Sequence, residues 1–125
     1  MKEPAVLLFA HGAREARWAE PFERVAELMR RTAPERPVEL AYLEFLRPDM
    51  AEGVERLAAR GATRIRVVPL FFGRGGHLRD SVPRLVAATR AAIPAVTIDV
   101  VEPAGEDEAV IQAVAAYCLR AADKL

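Results

Sequence analysis

The sequence predicts an α/β fold: a mainly parallel, four-stranded sheet covered by helices on both faces, in three α/β/α layers. Three observations lead there. The segment Ala5-Val6-Leu7-Leu8-Phe9-Ala10 is an unbroken apolar run that stops at His11-Gly12, as a strand buried on both faces reads. Further short apolar or β-branched runs alternate with longer amphipathic segments down the whole chain, the pattern of parallel strands joined by crossover helices. The chain has 125 residues, 52% of them hydrophobic and 29% charged. That composition builds a core rather than a disordered tail, and the length is that of one domain spanning residues 1–125. There is no internal repeat and no linker.

The first strand is Ala5–Ala10. From Trp18 to Arg31 the apolar residues Trp18, Phe22, Val25, Ala26, Leu28 and Met29 recur at helical spacing, so an amphipathic helix is expected there, ended by Pro34 and Pro37. Val38 to Leu43 reads as the second strand. Pro48 suits the first turn of a helix running to about Arg60, with Gly61 as its C-cap. Arg64-Ile65-Arg66-Val67-Val68-Pro69 is the third strand, and the glycine-rich Phe71-Phe72-Gly73-Arg74-Gly75-Gly76-His77 reads as a loop whose glycines allow unusual backbone conformations. Asp80 or Ser81 can cap a helix reaching about Ala92, which Pro94 breaks. Thr97 to Val101 supplies the fourth strand, and a last helix runs from about Asp107 to Ala122.

Eighteen basic residues balance eighteen acidic ones, which argues against nucleic acid as a sequence-independent partner. The single cysteine, Cys118, lies in a late apolar stretch and reads as a small buried core residue; no intrachain disulfide can form. The first apolar run is too short for a signal sequence or a membrane span, so the expected location is the cytoplasm, with no membrane partner.

Ligands of open α/β sheets bind outside the carboxyl ends of the strands, where loops and helix N-termini converge. In this chain the first strand ends at His11 and the second at Glu44, while the loop after the third ends at His77. The only two histidines and one carboxylate therefore fall on one sheet edge. Two neutral imidazoles with a carboxylate suit a divalent transition metal, and the same groups accept protons near neutral pH. Gly73, Gly75 and Gly76 fit either a tight turn or an anion-binding nest of backbone N–H groups. Arg14, Arg74 and Arg79 flank the histidines and could clamp a polycarboxylate.

Leu7-Leu8-Phe9-Ala10-His11-Gly12-Ala13-Arg14, Val38-Glu39-Leu40-Ala41-Tyr42-Leu43-Glu44, and Val67-Val68-Pro69-Leu70-Phe71-Phe72 followed by Gly75-Gly76-His77-Leu78-Arg79-Asp80 together resemble the small single-domain sirohydrochlorin chelatases of the cobaltochelatase and ferrochelatase type. The resemblance covers nearly the whole chain. It implies a chelatase-like fold and a lyase that inserts a divalent metal, Co²⁺ first and otherwise Fe²⁺ or Ni²⁺, into sirohydrochlorin, a tetrapyrrole with eight carboxylates. By motif, His11, Glu44 and His77 correspond to the metal-facing set, with His11 and His77 as the catalytic bases. Gly12, Arg14, Arg74, Gly75, Gly76 and Arg79 are expected to hold the substrate. No organic cofactor is implied; the metal is itself a substrate. Relatives often carry serine after the His-Gly turn, where this chain has Ala13. Longer members place two such domains in one chain, so a homodimer is expected here.

Two other classes compete. A strand ending in His-Gly followed by Arg is similar to the histidine phosphatases, but those need an arginine immediately before the histidine, where this chain has Ala10. A non-catalytic metal or tetrapyrrole carrier could use the same His and Glu ligands.

Overall fold

The computed structural model describes residues 3–73 and 75–124, with residues 76–78 described by their backbone alone. In chain order the elements are β1 (Ala5–Ala10), a 3-10 turn (Ala16–Ala19), α1 (Glu20–Thr32), β2 (Val38–Tyr42), α2 (Met50–Ala59), β3 (Arg64–Pro69), α3 (Gly76–Ala92), β4 (Thr97–Val100), a second 3-10 turn (Ala104–Glu106) and α4 (Glu108–Asp123). Each expected strand is present to within a residue.

The strands lie in the order β2-β1-β3-β4, and every pairing is parallel, with Leu7 opposite Glu39 on one side and Val67 on the other. The chain thus steps from β1 outward to β2, then back across β1 to β3. Right-handed crossovers put helices on opposite faces when the direction of travel reverses. Accordingly Val6 and Leu8 pack with Ala26 of α1 on one face, while Leu7, Phe9 and Ile65 pack with Met50, Val54, Leu57 and Val86 of α2 and α3 on the other. All six residues of β1 are buried, as its uninterrupted apolar sequence requires. The reversal between β1 and β3 is a topological switch point, the place where an open sheet parts to admit a ligand.

Caps explain where α2 begins and ends. Asp49 accepts a 2.9 Å hydrogen bond from the Glu52 N–H, and Glu52 accepts one of 2.9 Å from the Asp49 N–H, a reciprocal capping box. The Asp49 N–H and then Arg47 hold the Glu52 carboxyl below its ordinary value. Pro48, expected in the first turn, instead precedes the cap and is joined to Arg47 by a cis peptide bond. At the other end the Gly61 N–H reaches the Ala58 carbonyl (3.0 Å) and the Ala62 N–H that of Leu57 (3.1 Å), a Schellman motif around Gly61 at φ +93°. Replacing Asp49 by alanine is expected to cost about 1 kcal/mol, to be read as a lower urea midpoint with an unchanged slope.

Three expectations are corrected. Helix α3 starts at Gly76 rather than near Asp80, so His77 belongs to its first turn rather than to a loop; first-turn N–H groups need no intrahelical partner, so a glycine start is tolerated there without a side-chain cap. The apolar stripe of α1 is only partly used: Ala26 is buried, but Val25 and Leu28 are exposed, and Trp18 lies on the preceding 3-10 turn, 64% exposed. Cys118 is exposed, because α4 is only lightly packed, with Val110 and Ala121 half-buried and no residue fully buried. Ile111, Val114, Tyr117 and Leu119 of α4 stand open to solvent, and the helix packs chiefly on the 3-10 turn before it. Among the described residues, no helix is long and apolar enough to cross a membrane.

Candidate metal and substrate site

The parallel pairing of β1 with β2 continues past both strands: Leu43 N–H donates to the Ala10 carbonyl (2.9 Å) and Glu44 N–H to that of His11 (3.1 Å). This extension sets Glu44 beside His11, and their side chains meet, His11 Nε2 to Glu44 Oε2 at 2.8 Å. An ionised carboxylate only accepts, so Nε2–H is the donor in this bond. Both side chains are nearly half exposed, 49% and 43%. The result is an imidazole and a carboxylate, oriented by each other, on the solvent edge of a fully buried strand.

Gly12 makes this possible. Its φ is +92°, and a Cβ there would fall 1.9 Å from the Glu44 carbonyl oxygen. That same carbonyl accepts from the Leu46 N–H at 2.9 Å, closing a γ-turn centred on Phe45 at φ +70°. This is the strained form of the turn, uncommon for a bulky residue. The Phe45 ring is 53% exposed, and the Arg14 guanidinium carbon lies 4.6 Å from its centroid, a cation–π contact.

On the other side of β1, Phe71 meets His11 edge to face (centroids 6.4 Å apart) and Phe9 likewise (6.2 Å), so one ring ties the exposed imidazole to the core. Phe71 is fixed in turn by the Gly105 N–H, 2.8 Å from its carbonyl. A Cβ on Gly105 would sit 2.1 Å from Phe72 Cα, so only glycine admits this approach. Phe45, Phe71 and Gly105 were not singled out from sequence. Gly105, two residues after Pro103, carried a turn signal; an exposed phenylalanine in a γ-turn carries none.

The other expected site residues are placed unevenly. Arg74 and the side chain of His77 lie outside the described residues; the His77 backbone is in the first turn of α3. Gly75 caps that helix at φ −56°, a conformation open to any residue, so the glycine freedom expected of this loop is not used there. Gly76 is the first residue of α3. Arg79 is exposed on α3 and lines a cavity of about 390 Å³ with Pro69, Phe71, Val82 and Glu102. Among the described residues no three His, Cys, Asp or Glu side chains converge. What the structure brings together is the pair His11–Glu44.

A paired imidazole and carboxylate at the end of β1, on this topology, can be set against known proteins. The family model CbiX matches residues 5–121. The chain belongs to the CbiX family. A sirohydrochlorin cobaltochelatase of Saccharolobus solfataricus is 34% identical over 109 residues, 82% of this chain and 84% of that protein. One from Saccharolobus islandicus is 38% identical over 81 residues, 65% of this chain and 62% of the relative, so the aligned part is under two thirds of that protein's length. The crystal structure of a CbiX protein from Marinobacter aquaeolei VT8 superposes with a TM-score of 0.87 at 32% identity, over 98% of this chain and all of that one. The sirohydrochlorin chelatase SirB from Bacillus subtilis subspecies spizizenii, in complex with cobalt, superposes at 0.78 and 28% identity, over 90% of this chain but 48% of its own. CbiX membership agrees with the wholly parallel sheet and its flanking helices, and the matched region contains His11, Gly12, Glu44 and His77.

Proposed function

We propose that this CbiX chain is a sirohydrochlorin chelatase, inserting a divalent metal into a tetrapyrrole in cobalamin or siroheme biosynthesis, with Co²⁺ as the first choice and Fe²⁺ or Ni²⁺ after it. The observation that carries the reading is the 2.8 Å His11–Glu44 pair at the open carboxyl edge of the sheet. Relatives named as cobaltochelatases over most of the chain, and a neighbour holding cobalt, support it.

Metal insertion removes two pyrrole protons while the incoming ion sheds its water, so a site needs bases that also hold the ion transiently. In this reading His11 and His77 present the metal and take the protons, and Glu44 orients His11. Gly12, Gly75 and Gly76 offer backbone N–H groups to substrate carboxylates, and Arg14, Arg74 and Arg79 offer guanidinium forks. No organic cofactor is required. The test is the absorbance change of metal-free sirohydrochlorin mixed with Co²⁺, Fe²⁺ or Ni²⁺, with and without the protein. Acceleration establishes the chelatase and ranks its metals, whereas tight binding without acceleration favours a carrier.

The working form in this reading is a cytoplasmic homodimer. Support comes from α4, whose Ile111, Val114, Tyr117 and Leu119 are exposed, and from the SirB chain, 48% of which this chain covers. That chain is about as long as two copies of this one. Sedimentation is expected to give a dimer at micromolar concentration, and Tyr117→Asp with Leu119→Asp to give a monomer; a monomeric native protein would count against the dimer.

A further inference from the structure

Phe45 is a large apolar side chain that the fold does not use. Its ring is 53% exposed, and its backbone is held at φ +70°, where glycine or asparagine would sit with less strain. Strain of this kind persists where the surroundings impose it, and it gathers at ligand sites. Here it is imposed by the Leu46 N–H bond to the Glu44 carbonyl, the turn that also aims Glu44 at His11. The consequence is positional: the residue following the metal-facing carboxylate turns its ring outward beside it. Arg14, three residues after His11, lies over that ring at 4.6 Å, and both are exposed.

We propose that Phe45 and Arg14 form a recognition platform for a flat, conjugated macrocycle bearing peripheral carboxylates, with the Phe45 ring stacking on the macrocycle and the Arg14 guanidinium pairing with a carboxylate at its rim. An aromatic face gains from offset stacking on another π system. The Arg14 guanidinium covers one face of Phe45, so the macrocycle takes the opposite face, and a flexible carboxylate arm at its rim reaches round the ring to the guanidinium fork. The two contacts lie next to His11 and Glu44, so a macrocycle on the platform has its centre near the pair that would hand over the metal. Phe45 is then a specificity-determining residue, separate from the metal-facing groups. The macrocycle's identity as sirohydrochlorin rests on the chelatase reading; the platform rests on the geometry of residues 11–14 and 44–46.

The experiment titrates metal-free sirohydrochlorin, followed by its absorbance, into the native protein, Phe45→Ala, Phe45→Trp and Arg14→Gln. Binding of Co²⁺ alone is measured in parallel for the two Phe45 variants. Phe45→Ala is expected to weaken tetrapyrrole binding about five- to tenfold while leaving Co²⁺ affinity within about twofold, Phe45→Trp to restore it, and Arg14→Gln to weaken it several-fold. Native-like tetrapyrrole binding by Phe45→Ala overturns the platform. So does an equal loss of tetrapyrrole and Co²⁺ binding, because Phe45 would then only shape the turn that carries Glu44. Because this titration needs no insertion, a native protein that binds through Phe45 without accelerating insertion overturns the chelatase reading and leaves the platform standing.

Discussion

Replacing His11 by alanine is expected to slow Co²⁺ insertion into sirohydrochlorin at least about a hundredfold, the usual contribution of a positioned acid–base group. The double variant His11→Ala/His77→Ala should return it to the spontaneous rate. The His11 ring is the partner of Glu44 at 2.8 Å and of Phe71 edge to face, so its removal deletes the nitrogen donor and leaves the carboxylate to solvent. Glu44→Gln is the milder change. An amide oxygen still accepts from Nε2–H, so the ring keeps its orientation while the negative charge is lost; a reduction in Co²⁺ affinity of about tenfold, the low end of what mutating a ligand's carboxylate partner costs, is expected. Insertion by the double variant faster than the uncatalysed rate would remove the histidines from the chemistry.

Gly12→Ala is expected to destabilise the fold strongly. Forcing a side chain into φ +92° costs about 1–2 kcal/mol, and the added carbon would lie 1.9 Å from the Glu44 carbonyl oxygen, so backbone must move at a further cost of about 1–3 kcal/mol. Gly61→Ala is the control, since Gly61 has φ +93° but nothing within 4 Å of where its Cβ would stand; it should show the conformational part alone. Urea denaturation of both variants separates the two contributions. Gly12→Ala should also bind Co²⁺ more weakly, because the atom it displaces belongs to Glu44. Equal midpoints for the two variants would show that the close approach at Gly12 is not a constraint.

Periodicity located the strands because the sheet interior is unambiguous: β1 admits no polar residue, and β3 alternates half-buried and buried positions from Arg64 to Pro69. It also placed His11 and Glu44 on one edge, since both follow strands that end at the same side of a parallel sheet. Their contact across 33 residues depends on register, which an isolated sequence does not specify. The start of α3 was missed because Gly75 and Gly76 read as loop and no side chain caps the helix. Helix α4 misled differently. Its apolar composition implied a buried Cys118, yet the helix has no fully buried residue. Phe45 was unreadable because its conformation arises from one hydrogen bond across a turn, not from its residue type.

The separation of His11 and Glu44 along the chain also bears on folding. No local fragment contains both, and in an unfolded chain the two are a loop of more than thirty residues apart. In the proposed chelatase, an ion bound at this site would therefore favour the native ensemble, and its free concentration would enter the folding equilibrium by mass action. The abundance of folded protein in a cell would then track its metal supply, making the substrate ion a chaperone-like ligand for the fold that handles it.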